Sequence, residues 1–279
     1  MNLMQTSDIQ AIDVHGHYGD YFRDETSSVV NEFMSADAET VVNRAREAGI
    51  ATTIVSPLSG LLPRGQADAI RANEAAARTV AAMDGLLQWV IVHPLQPETY
   101  RQAAELLQQP QCVGIKIHPE EHVYPIREHG AALFEFAARY DAIVLAHSGD
   151  SNSLPADFVQ FANSHSNVSL ILAHLGNGGS ASGNPDLQVK AIQASLHGNM
   201  YVDTSSARSM MPGLIEWSVS EIGAERILFG TDTPLYFTAM QRARIDRADI
   251  SDEDKRKILL ENAQGMFSDS LLKGANTSC

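Results

Sequence analysis

The chain has 279 residues, 44% of them hydrophobic, and a formal net charge of −14. That length suits one large domain with a well-buried core, and the charge argues against nonspecific nucleic-acid binding, which needs a basic surface. No apolar run is long enough to span a bilayer, the first eight residues hold no basic cluster followed by an apolar stretch, and Cys112 and Cys279, the only cysteines, exclude a disulfide framework and a cysteine zinc site.

A cytoplasmic protein with no nucleic-acid or membrane partner is therefore expected, and a homo-oligomer is compatible with the sequence. Residues 8–14 form the first strand, closed by His15-Gly16-His17. Alternation along a strand puts Asp13, His15 and His17 on one face and Ile12 and Val14 on the other. A loop rich in charge and aromatic side chains follows, carrying Arg23. Ser35 caps a helix that runs to residue 48 and stops at Gly49. The β-branched run 51–55 is the second strand; a loop with Arg64 and an Ala-rich helix over 66–83 come next. The alternation then repeats. Strands fall at 86–92, 113–117, 142–146, 168–173, 200–203 and 226–229, and helices at 98–109, 128–140, 155–163, 185–196 and 210–222, with further helices to about residue 268. Residues 273–279 are a polar, frayed tail.

Eight strands, each followed by a helix, predict an α/β fold of the (β/α)8 TIM-barrel kind, one domain over residues 1–279. Near-continuous apolar strands suit a parallel sheet buried on both faces. An open doubly wound sheet is the rival, but no glycine-rich phosphate turn follows the first strand.

Polar residues end one strand after another. His15 and His17 end the first, Lys116 and His118 the fourth, His147 the fifth, His174 the sixth and Asp232 the eighth. In a parallel barrel these ends open on one face, where active sites lie. Strand parity places each terminus on a row that points into the barrel: Gly114-Lys116-His118, Ile143-Leu145-His147, Leu170-Leu172-His174 and Leu228-Gly230-Asp232. Neutral imidazole and carboxylate suit a divalent cation that keeps one position open for water, and His15, His17, His147 and Asp232 supply that set. Asp232 can touch the metal, take a proton from the water, or do both. Arg23 and Arg64 are loop cations able to bind a substrate carboxylate. His118 and His93, each before a proline, anchor loops, and His118 also stands where it can meet substrate. Asp203 hydrogen-bonds a neighbouring strand end. His122, His129, His165 and His197 are expected at the surface.

The segments Ile12-Asp13-Val14-His15-Gly16-His17, Gly114-Ile115-Lys116-Ile117-His118-Pro119, Ala146-His147-Ser148-Gly149, Ala173-His174-Leu175-Gly176, the run from Arg226 to Pro234 and Glu261-Asn262-Ala263 resemble, in this order, the amidohydrolase superfamily. The resemblance is strongest to the amidohydrolase-related branch that includes aminocarboxymuconate-semialdehyde decarboxylase and related decarboxylases, hydratases and lactone hydrolases. It implies that His15, His17, His147 and Asp232 bind one divalent metal, usually zinc, with His174 as nearby acid/base, electrophile or ligand of a second metal. Two-metal relatives carry a carboxylated lysine at the end of strand 4. Lys116 either plays that role or, as an ordinary ammonium, attracts a substrate carboxylate; the overall pattern favours the second.

The first functional expectation is a metal-dependent hydrolase of a small, anionic, cyclic ester or amide, with Asp232 taking the proton from water and His174 or Asp232 protonating the leaving group. The alternative keeps site and metal but decarboxylates or hydrates an unsaturated or aromatic carboxylic acid. A second alternative is a catalytically inactive ligand-binding barrel.

Overall fold

The computed structural model describes residues 8–179, 183–206 and 210–267. The 273–279 tail with Cys279, and the first seven residues, lie outside the described residues. Eight parallel strands form one sheet in sequence order: β1 (Ala11–Tyr18), β2 (Ile50–Pro57), β3 (Leu86–Ile91), β4 (Cys112–Ile117), β5 (Ile143–Ala146), β6 (Leu170–Leu172), β7 (Met200–Asp203) and β8 (Ile227–Leu228). Backbone bonds between the ends of β8 and β1 bring the sheet round on itself: Val14 N–H to Phe229 O at 2.9 Å, Asp232 N–H to His15 O at 2.7 Å and His17 N–H to Thr233 O at 2.6 Å. The result is the TIM barrel expected from the alternation.

The β1–β2 connection holds α1 (Ser28–Phe33) and α2 (Ala38–Glu47). The latter starts later than Ser35 because Asp37 is its cap, accepting from Thr40 N at 2.8 Å. Ser35 instead accepts from Tyr21 N and so ties down the β1–α1 loop. α3 (Ala69–Ala81), capped by Asp68, α4 (Glu98–Leu106), α5 (Ile126–Arg139), α6 (Pro155–Ser164), α7 (Leu187–Gln193) and α8 (Leu214–Ile222) follow successive strands, and α9 (Thr238–Asp246), α10 (Asp252–Arg256) and α11 (Asn262–Met266) close the chain. No described helix is long and apolar enough to cross a membrane.

Two apolar layers hold the barrel. The larger lies between sheet and helices, where Ile115, Ile117, Val144, Ala146, Leu170, Leu172 and Phe229 meet Phe134, Phe158 and Leu133. The smaller fills the barrel interior with Ile12, Val14, Ile54, Leu87, Trp89, Leu145, Ile171, Ala173 and Leu228, plugged by Phe267. Trp89 fits because Gly114 leaves it room: a Cβ there would sit 2.7 Å from the indole and 2.4 Å from Ile143 O.

Two strands break simple alternation. In β1 the register with β2 slips between Asp13 and Gly16, a bulge that lets Val14 and then His15 both reach the inner side. In β6 it is Ile171 and Ala173 that face inward while Leu170 and Leu172 face the helices. Parity alone would send His174 outward with them, contrary to the expected row. A left-handed backbone at His174, φ 72°, turns its ring into the barrel mouth.

Candidate metal centre and pocket

The mouth of the barrel gathers the strand-end side chains. Among the described residues, His15, His17 and Asp232 each offer one donor atom within 4.8 Å of the others, all buried. His17 Nε2 lies 3.2 Å and His15 Nε2 3.6 Å from Asp232 Oδ1. Two ligands about 2.1 Å from a tetrahedral ion stand about 3.4 Å apart, so these separations suit one shared cation. Asp232 also has a left-handed backbone, φ 59°, fixed by its N–H bond to His15 O.

The outer nitrogens decide the tautomers. His15 Nδ1 donates to Asp203 Oδ2 at 2.8 Å and His17 Nδ1 to Ser56 O at 2.9 Å. His147 Nε2 donates to Asp150 Oδ2 at 2.7 Å, and His174 Nδ1 to Ser205 O at 3.0 Å. Metal-ligating histidines are held this way, by a carboxylate or carbonyl on the far nitrogen. Each ring is left with an inner lone pair. That of His17 faces a carboxylate, and those of His147 Nδ1 and His174 Nε2 face each other at 3.0 Å. Such contacts repel unless a cation or a shared proton lies between. The residues therefore fit a divalent metal.

His147 is not part of the three-donor cluster; it reaches it through His174, whose ring centroid is 4.9 Å from that of His15. A second cluster, His15, His174 and Asp203, uses the His15 nitrogen already bonded to Asp203 and is better read as a hydrogen-bonded brace. Asp203 also accepts from the N–H of His174 at 3.0 Å and of Ser205 at 2.9 Å, so it does bond the neighbouring strand end.

Burial sets the charges. It opposes ionisation of Asp232, but a proton shared with His17 across their 3.2 Å contact, and the nearby His174, His15 and His17, outweigh it and hold the carboxyl well below its usual range. Burial pushes His174 down to about 4 against the pull of Asp232, and lowers His15, His118 and His147. Lys116 is fully buried, its Nζ 2.8 Å from His15 Nε2, and burial brings it down to about 8 despite Asp232 and Asp203. It does not line the cavity, so it acts on a bound anion only through its field. Asp150, bonded to His147, falls to about 2.

The cavity above these groups measures about 240 Å³. Met34, Leu58, Leu61, Leu62 and Leu235, members of one apolar cluster, line it together with the polar His17, His118, His147, His174, Asp150 and Asp232. His118 stacks on His147 with centroids 4.1 Å apart and accepts from Glu121 N at 3.2 Å, which leaves its Nε2–H as a donor. Arg23 reaches the cavity but is bound to Glu121 and Tyr21. Arg64 does not line it: 47% exposed, it pairs with Glu120 at 2.9 Å. His122, expected at the surface, is buried and stacked on His93. Sequence reading passed over Asp150 and Glu121, whose only signal is a carboxylate three residues after a strand-end histidine, His147 and His118 respectively.

A profile of the amidohydrolase family matches residues 12–268. The chain belongs to the amidohydrolase family. It is accordingly a metal-dependent enzyme of that superfamily, as the ordered motifs implied. Comparison with curated proteins gives no match. Among solved structures, this amidohydrolase is similar to 2,6-dihydroxybenzoate decarboxylase from Rhizobium, with 18% identity and a TM-score of 0.70 over 95% of this chain and 99% of that one. It is similar to 5-carboxyvanillate decarboxylase from Sphingomonas paucimobilis, with 16% identity and a TM-score of 0.72 over 93% and 99%. A third is dihydroxybenzoic acid decarboxylase from Polaromonas, holding manganese and the inhibitor 2-nitroresorcinol, with 19% identity and a TM-score of 0.67 over 92% and 96%.

Proposed function

We infer that this amidohydrolase removes carbon dioxide, without oxidation, from a small aromatic or unsaturated carboxylic acid. The observation that carries the reading is the mixed lining of the cavity: a leucine cluster able to hold the face of one ring, in the same cavity as a metal-fitting His/Asp set with a histidine beside it. The decarboxylase activities of the structural relatives support it.

His15, His17, Asp232 and His147 would hold one divalent ion, zinc or manganese, which when bound supplies Lewis acidity toward substrate oxygens. For His147 this means presenting Nδ1, while Asp150 keeps the far side of the ring. Asp232 is ionised and therefore a ligand and proton acceptor rather than the acid. His174 delivers the proton: Ser205 holds its Nδ1–H, and Nε2, a lone pair at rest, takes a proton from solvent and passes it to the ring. The ring carbon that bears the carboxylate takes the proton, the bond to the carboxyl carbon breaks, its electron pair returns to the ring, and carbon dioxide leaves. Lys116 adds positive potential behind His15. The apolar cluster excludes water from the protonated ring.

Hydrolysis of a cyclic ester, the first expectation from the sequence, would use the same groups. Incubating the metal-loaded protein with hydroxybenzoates and with a lactone panel, while following carbon dioxide, separates the two. Carbon dioxide from an aromatic acid with no lactone opening is expected; lactone opening alone would overturn the reading. Elemental analysis of protein purified without added metal identifies the ion.

A further inference from the structure

Arg23 looks like a carboxylate-binding cation in the sequence, yet its charge is already used. Its guanidinium pairs with Glu121 through Nη2, and its Nε donates to Tyr21 OH at 2.6 Å. Glu121 is pinned through its backbone. Its N–H bonds His118 Nδ1 at 3.2 Å, and its carbonyl accepts from Gly65 N at 2.7 Å. Its side chain is 9% exposed, it lines the cavity beside His118, and Arg23 occupies only Oε1; Oε2 is buried and has no hydrogen-bond partner. An ionised carboxylate accepts about four hydrogen bonds, and a buried acceptor left unmet costs stability unless a donor comes to it. Arg23, Tyr21, Glu121 and His118 line the same cavity as His17 and Asp232 of the metal-fitting set.

We propose that Glu121, neutralised by Arg23, is a specificity-determining acceptor for a hydroxyl or amino group on the substrate ring. The assignment rests on the decarboxylase reading of the same site. The substrate's one carboxylate then belongs at the metal end, where the cationic groups are. The Arg23–Glu121 pair offers no spare positive charge to a second carboxylate, and a methyl ether offers Glu121 no proton. The substrate class is a monocyclic hydroxy- or amino-acid, not its ether and not a dicarboxylate. A site built to bond a donor discriminates against the analogue that lacks it, because its own polar group is left unpaired.

The test is calorimetric binding of paired probes to the metal-loaded protein: hydroxybenzoate, aminobenzoate and methoxybenzoate at each ring position, and the benzene dicarboxylates. Wild type is expected to bind a hydroxy or amino acid about tenfold or more tighter than the matching ether. In Glu121→Gln that preference falls to about threefold or less, and a dicarboxylate binds better than in wild type because Arg23 is released. Arg23→Met keeps the hydroxyl preference, since the acceptor remains. Circular dichroism and metal content verify each variant; should Glu121→Gln not fold, the wild-type pairs alone decide. Equal binding of hydroxyl and ether at every position, or a preference retained in Glu121→Gln, overturns the role of Glu121 alone. No binding of any benzoate to the wild type overturns the decarboxylase reading and this assignment with it.

Discussion

Nδ1 of His147 stands 3.0 Å from Nε2 of His174, and each ring has already committed its other nitrogen, one to Asp150 and one to Ser205. Two neutral imidazoles cannot both present lone pairs across so short a gap, so the pair is made to share a cation or a proton. His147→Ala should lose metal and activity together, whereas His174→Ala should lose activity and keep about one metal per chain. Elemental analysis of both variants beside carbon dioxide assays checks this. Metal loss in His174→Ala would mean that this ring is a ligand and would point to a second ion.

Asp203 braces His15 through Nδ1 and the His174 backbone through its other oxygen. Asp203→Asn can donate where the carboxylate accepted, which favours the wrong tautomer of His15. Metal affinity should fall about 10- to 100-fold. Titration with zinc or manganese measures it, and an unchanged affinity would remove Asp203 from the site.

Lys116 holds its ammonium against His15 Nε2, the lone pair that a metal needs. Lys116→Met removes a buried positive charge next to the ion site, and metal should bind about tenfold tighter. If Lys116 were instead carboxylated and bridging, the same variant would bind metal more weakly or in smaller number.

The His93–His122 stack lies outside the metal cluster and titrates with folding. Burial, with the neighbouring His93, pushes His122 down to about 3 from 6.5. A depressed folded-state value means that its contribution to stability is complete above pH 6.5 and is lost as pH falls from 6.5 toward 3. For this residue the loss between about pH 7 and pH 5 is about 2 kcal/mol. His122→Phe should therefore lose about 2 kcal/mol less than wild type over that interval in urea melts. Parallel losses would show that His122 does not stay neutral in the fold.

Arg64 is half-exposed and paired with Glu120 away from the cavity lining. Arg64→Ala should change kcat/KM by about twofold at most and stability by about 0–1 kcal/mol. A large rise in KM would return Arg64 to the substrate site.

The barrel was legible because its cause is local. Apolar strands alternating with amphipathic helices at this length have one economical closed arrangement, and the polar residue after each strand marks the open end. His15, His17 and Asp232 were legible for the same reason. Their partners were not. Asp150 against His147 is a contact within one loop, Ser205 against His174 and Glu121 against Arg23 are contacts between loops, and loop paths depend on what the rest of the fold packs beneath them. Arg23 and Arg64 look alike in sequence; only packing separates the one at the cavity from the one beside it.

His174 shows the division most sharply. Its identity and its place after β6 are written in the chain, but strand alternation there points the wrong way. A left-handed residue, held by the Asp203 carboxylate from the next strand, brings it back. Residue type and order are one-dimensional and survive in the sequence. The direction of a side chain at a strand end depends on a backbone angle that only neighbouring strands can hold in place, so it was decided when the barrel closed.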